Sequence, residues 1–153
     1  MSKSRMFKKL YLVECNNDET LIIELTKANR RQIHHAGNKT RVLKRLDDCE
    51  GCIGMIDEDP GAPQPKKLRS IKLELVEYDI KVGKYKGNII VVLCPILEEW
   101  VAKVTKNTGI RKEINAKDLE DERKFQDVIR ELISSNPEPE PIRRLRDILL
   151  RGI

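Results

Sequence analysis

Ile89-Ile90-Val91-Val92-Leu93-Cys94 is apolar at all six positions and β-branched at four of them. A strand with one wet face alternates polar and apolar residues. A run with no polar position fits a strand covered on both faces, as at the centre of a parallel sheet between helical layers. Lys86-Gly87-Asn88 before the run reads as a turn, and Pro95 closes it.

Outward from this strand the chain alternates strand and helix signals. Upstream, residues 71–85 alternate apolar and polar, with a phase change near Leu75-Val76 that suggests a bulge or bend. Downstream, Pro95 sits where a helix could start, and Leu97, Trp100, Val101 and Val104 follow at helical spacing until Asn107-Thr108-Gly109. Residues 10–13 and 52–56 are two more short apolar runs of strand length. After the first, Asp18 is a good N-cap for a helix carrying Leu21, Ile22, Leu25 and Ala28. Residues 33–36 fit a short strand, and Asn38 or Thr40 caps a helix running through Cys49 with Val42, Leu43 and Leu46 inward. Pro60, Gly61, Pro63 and Pro65 make the stretch after residue 59 a loop.

Near the carboxyl end, a helix is expected over residues 118–134, with Phe125, Val128, Ile129, Leu132 and Ile133 on one face. A stiff proline-rich connector, residues 136–141, then leads to a last amphipathic helix bearing Ile142, Leu145, Ile148 and Leu149. That helix either packs on the domain or presents its apolar face to a protein partner. The expected fold class is therefore α/β, a three-layer Rossmann-like domain over residues 1–135 with a mostly parallel central sheet flanked by helices. Residues 136–153 form the connector and terminal helix.

A length of 153 residues suits one such domain. Only 4% of residues are aromatic, so the core must be built from Leu, Ile and Val. The net charge of +5 favours polyanionic partners, but both signs are dense, which excludes a histone-like tail. The first ten residues lack an apolar signal core, and no run approaches the roughly 18 apolar residues of a membrane span. These features lead to the expectation of a cytoplasmic protein whose four cysteines are reduced thiols, with Cys94 in the core.

Ligand sites of open α/β sheets gather at the carboxyl ends of the strands. Three strand candidates end in acids here: Glu14, Asp57-Glu58-Asp59, and Glu98-Glu99 just beyond the central run. Converging carboxylates repel one another, and a hard divalent cation such as Mg²⁺ (or Mn²⁺) removes that cost. Asp57 and Asp59, two apart, reach the same side of a chain leaving a strand, with Glu58 pointing elsewhere. Acids at strand ends also serve as plain helix caps or solvated groups, so position and chain order carry more weight than any single acid.

Three segments carry a resemblance to a known family. They are Leu12-Val13-Glu14-Cys15-Asn16-Asn17-Asp18, then Gly54-Met55-Ile56-Asp57-Glu58-Asp59-Pro60-Gly61, then Pro95-Ile96-Leu97-Glu98-Glu99-Trp100. Together they resemble the Toprim domain, nearest to its OLD- and RloB-like nuclease branches, over about residues 8–106. Cys15 departs from the family, which usually has glycine there. The resemblance implies a metal-dependent nuclease, or another phosphoryl-transfer protein, acting on DNA or RNA. It implies Glu14, Asp57, Asp59 and Glu98 as catalytic residues and metal ligands, with Glu14 a general base or ligand and Glu99 left to solvent. Lys103, Lys106, Arg111 and Lys112 follow the third segment and are able to meet phosphates, although solvated helix surface is the commoner role for such residues. Two other readings stay open. One is a catalytically inactive Toprim-like module that binds nucleic acid or a protein partner. The other is a zinc site at Cys49 and Cys52 with His34 and His35.

Overall fold

The computed structural model describes residues 9–111 and 113–151. The first eight residues, which bear on the expectation of no leader, and Lys112 lie outside them. Among the described residues, six strands form one sheet: β1 (Tyr11–Val13), β2 (Ile33–His35), β3 (Ile53–Asp57), β4 (Glu74–Glu77), β5 (Ile80–Tyr85) and β6 (Asn88–Leu93). The helices are α1 (Asn16–Thr26), α2 (Lys39–Leu46), α3 (Lys66–Arg69), α4 (Leu97–Thr108), α5 (Glu122–Ser134) and α6 (Glu140–Arg151). The strand order is β2-β1-β3-β6-β5-β4, parallel from β2 to β6 and antiparallel through β5 and β4. The fold is thus three-layer α/β with a mostly parallel sheet, as the all-apolar run required.

Strand side chains alternate between faces, and each face buries its own cluster. Tyr11, Val13, Met55, Val91 and Leu93 pack with Leu21 of α1, Trp100 of α4, Phe125 of α5 and Leu145 of α6. Leu12, Ile56, Ile90 and Val92 pack on the opposite face with Val42, Leu43 and Leu46 of α2, and Leu68 of α3 joins them. Gly54 lies between Leu12 and Ile90 in register, and α2 presses on it. A Cβ there would stand 3.0 Å from Val42 and 3.1 Å from Leu46.

Several elements differ from their sequence-based expectation. Residues 71–85 hold a register shift between Leu75 and Glu77 and also a full reversal. The chain turns at Tyr78 and Asp79, both in the left-handed region (φ 55° and 59°). Neither is glycine or asparagine, which hid the hairpin. The Trp100 indole N–H donates to the Tyr78 carbonyl at 2.7 Å, fastening this turn to α4. The expected loop after residue 59 contains α3. Helix α2 is capped by Asn38, whose side chain accepts from the Arg41 N–H at 2.9 Å, and ends at Leu46 rather than Cys49. Helix α4 begins at Leu97, two residues beyond Pro95. The helix expected over 118–134 is a 3-10 turn at Asp118–Glu120 followed by α5, because Asp121 caps α5 through the N–H groups of Arg123 and Lys124.

Of the two placements left open for α6, the chain takes the first. Ile142, Leu145, Ile148 and Leu149 are buried in the core of the same chain. Tyr11 donates its hydroxyl to the Leu149 carbonyl at 2.8 Å, and Arg146 Nε donates to the Leu25 carbonyl at 2.9 Å. No described helix is long and apolar enough to cross a membrane.

The contact at Gly54 sets a direct test of this packing. Gly54→Val is expected to destabilise the fold by about 1–3 kcal/mol, because β3 cannot withdraw from α2 without breaking its parallel ladders. Urea unfolding of the variant measures it, and an unchanged midpoint would mean α2 is not pressed against the sheet.

Candidate functional site

From β1 the chain passes through α1 to β2 on one side, whereas from β3 it passes through α3 to β4 on the other and returns through β5 to β6. Adjacent parallel strands whose outgoing connections diverge open a crevice beyond their carboxyl ends. Glu14 directly follows β1, and Asp57 is the last residue of β3. One oxygen of Glu14 accepts the Asp57 backbone N–H at 2.9 Å. One oxygen of Asp57 in turn accepts the Leu97 N–H at 2.9 Å, at the start of α4. The two half-buried carboxylates therefore tie the ends of β1, β3 and α4 into one rim.

Asp59 and Glu98 join the same rim. The Asp59 N–H donates to the Pro95 carbonyl at 2.7 Å, and Asp59 takes a left-handed φ of 43°. Its carboxylate is exposed and, among the described residues, accepts no hydrogen bond. Glu58 points away, with its carboxylate on Lys81 at 2.5 Å. Glu98, in the first turn of α4, accepts from the Asn17 side-chain amide at 3.0 Å, while Glu99 is exposed. The ends of β1 and β3 and the start of α4 thus place Glu14, Asp57, Asp59 and Glu98 along one edge, with Glu58 turned to Lys81 and Glu99 exposed.

Asp18 is not the N-cap of α1. Helix α1 starts at Asn16 with Cys15 as cap, and Asp18 stands in the third helical position. Its carboxylate reaches back to accept the N–H groups of Glu14 and Cys15 at 3.2 and 3.1 Å. It is a capping acid all the same, but a buried one, 3% exposed, beneath the rim.

Electrostatics follow from this crowding. Burial pushes Asp57 up to about 7, and the charges of Glu14 and Glu98 add to it against the Leu97 N–H and Lys39. Burial also raises Glu14, with Asp59 and Glu98 adding to the effect, while the Asp57 N–H and Lys39 oppose it. Asp18 is held well above the usual carboxylate range by burial, then by Asp57 and Glu14.

Two residues missed in the sequence complete the setting. Lys39, buried at the start of α2, donates through Nζ to the Glu58 carbonyl at 2.8 Å and to Gln64 Oε1 at 3.0 Å. Gln64 donates to the carbonyls of Glu58, Asp59 and Ala62, so the pair clamps the acidic loop. Asn17 is 5% exposed and donates to both Glu98 and the Leu119 carbonyl, while its own Oδ1 is buried without a partner. Asn17 reads as part of a turn and Lys39 carries no mark of its own in the sequence; the long-range contacts that single them out have no local sequence signal.

Of the four cations named as able to meet phosphates, Lys103 pairs with Asp79 at 2.8 Å and Arg111 with Glu131. Lys106 is exposed on α4, and Lys112 lies outside the described residues. The zinc alternative divides between opposite sheet edges. Cys52 precedes β3 at the amino edge, whereas His35 closes β2 at the carboxyl edge and pairs with Glu19 at 3.2 Å.

Among the described residues, no three His, Cys, Asp or Glu side chains stand together as a preformed metal cage. The rim still fits Mg²⁺ or Mn²⁺ in its chemistry. Its donors are hard carboxylate oxygens, and Glu14 and Asp57 are raised first by burial and then by neighbouring carboxylates, a charge that a divalent cation would offset. No family model, curated protein or solved structure matches the chain, so the site is argued from its geometry.

The raised Asp57 fixes the sign of a pH effect. A carboxyl that holds its proton more tightly in the folded state loses stability as pH rises from its unfolded value near 4 towards 7. Stability without divalent cation should therefore fall across this window, by about 1–2 kcal/mol for a half-buried group. Asp57→Asn keeps an acceptor for Leu97, removes the charge, and should flatten this dependence. A wild-type profile flat over the same window, read by urea unfolding, would contradict the crowding.

Proposed function

We propose that the chain is a Toprim-type, Mg²⁺-dependent nuclease or phosphotransfer protein acting on DNA or RNA. The single observation that carries the reading is the coupled rim itself: Glu14, Asp57, Asp59 and Glu98 at the switch point of a parallel sheet. A divalent cation bound there would neutralise charge developing at phosphorus. Asp57 and Asp59 are its foremost ligands, with Glu14 and Glu98 completing the acidic edge. Glu14 serves in this reading either as a further ligand or as the general base that takes a proton from an attacking water. Asn17 orients the Glu98 carboxylate, and the Lys39–Gln64 clamp holds the backbone from which Asp59 projects.

One observation favours the second reading, an inactive module of the same class that binds nucleic acid or a protein partner. One oxygen each of Glu14 and Asp57 is already occupied by a backbone N–H. If that occupancy persists, the rim is a structural lock and not a reaction centre.

Two measurements separate these readings. Mg²⁺ or Mn²⁺ should raise the thermal midpoint of the wild type and leave that of an Asp57→Asn/Asp59→Asn variant unmoved. The same variant should cut single- and double-stranded DNA and RNA at least about 10²-fold more slowly than wild type, the scale expected when metal ligands are lost. Cation stabilisation without cleavage of any substrate would leave the inactive module. Unimpaired cleavage by the double variant would remove the rim from the chemistry.

A further inference from the structure

The cations of the two helical layers differ in how they are grouped. On the layer of α1, α4, α5 and α6, Arg130 pairs with Glu24, Arg111 with Glu131, Arg146 with Glu138, Arg144 with Glu77 and Lys103 with Asp79, and exposed cations such as Lys27, Lys106 and Arg151 stand apart on separate helices. On the layer of α2 and α3, Arg41, Lys44, Arg45, Lys66 and Arg69 are exposed and have no carboxylate partner among the described residues. The eight residues outside the described amino end contain no acid that could pair with them.

These five cations form one surface. Arg41, Lys44 and Arg45 stand at i, i+3 and i+4, on a single helix face. Helix α3 lies alongside, because Leu68 packs in the cluster of Val42, Leu43 and Leu46. Both ends of the pair are fastened: Lys39 bonds Gln64 beside the rim, and Lys67 pairs with Asp47 just past the far end of α2. Helix α2 starts from the carboxyl edge of the sheet, so the surface begins next to Asp57 and Asp59 and runs away from them down one face.

Unpaired, exposed like charges in a row raise the energy of the isolated protein and are relieved by a polyanion with regular charge spacing. We propose that α2 and α3 form a track for the sugar–phosphate backbone of a nucleic acid, with Arg41, Lys44, Arg45, Lys66 and Arg69 as its phosphate contacts. As a feed to the carboxylate rim, the track rests on the nuclease reading; as a binding surface, it stands apart from it. The contacts are to phosphates, so the track carries no sequence preference.

The test uses the full chain in EDTA with fluorescein-labelled single strands and duplexes of about 20 nucleotides, titrated by anisotropy between about 50 and 200 mM salt. Arg41→Gln/Lys44→Gln/Arg45→Gln should bind about 10–100-fold more weakly at low salt, with a log–log salt slope smaller by about 2–3. Lys66→Gln/Arg69→Gln should lose less and shift the slope by about 1–2. Arg130→Gln/Arg143→Gln, paired cations on the other layer, should behave as wild type. All these side chains are exposed, and circular dichroism checks that the variants fold. Unchanged affinity and slope in the α2 and α3 variants would overturn the track. So would a wild type that binds no oligonucleotide, or one that binds only phosphatidylserine vesicles. Wild-type binding with the expected losses but no Mg²⁺- or Mn²⁺-dependent cutting would sustain the track and remove the nuclease reading. Cutting with no effect of the α2 and α3 variants would do the reverse.

Discussion

The hydrogen bond from the Asp57 N–H to the Glu14 carboxylate joins the carboxyl ends of two neighbouring parallel strands across the switch point of the sheet. Asp57 passes the link on through the Leu97 N–H to the start of α4. Three elements that are far apart in sequence thus meet through two side chains, and both are acids. An apolar pair would hold the strands together more cheaply, since burying charge beside charge raises the free energy of the folded state. The arrangement therefore stores repulsion at one edge of an otherwise apolar sheet, and burial drives Asp57 up to about 7 there.

The surroundings contain that repulsion without removing it. Lys39 supplies a buried positive charge, but its hydrogen bonds go to a carbonyl and an amide, not to a carboxylate. Asn17 holds Glu98 while leaving its own oxygen unsatisfied in the interior. Buried polar atoms without partners are costly, and they concentrate where geometry serves a ligand rather than the fold. On the proposed reading that ligand is a divalent cation, with a nucleic-acid backbone arriving along α2 and α3.

Much of the fold was legible because it rests on local patterns. The unbroken apolar run of β6 marked a central strand and the short run of residues 52–56 marked β3, but not the close approach of α2 at Gly54. The acids ending β1 and β3 were legible as a group for the same reason, since strand ends fix their edge. What escaped depended on contacts remote in sequence. The reversal at Tyr78 and Asp79 uses left-handed residues of unexpected type and is fastened by Trp100. Asp18 caps from the third helical position because Glu14 and Cys15 offer their N–H groups to it, which spacing alone did not separate from an N-cap. Lys39 and Asn17 gained their roles only when α2 and α1 were packed against the rim.

On the proposed reading the strand-end carboxylates form one cation site. A crystal soaked in Mn²⁺ and measured at the manganese edge tests it most directly. An anomalous peak is expected against Asp57 and Asp59 and is lost in the Asp57→Asn/Asp59→Asn variant. A peak seated elsewhere on the chain, or none at the rim at saturating Mn²⁺, would contradict it.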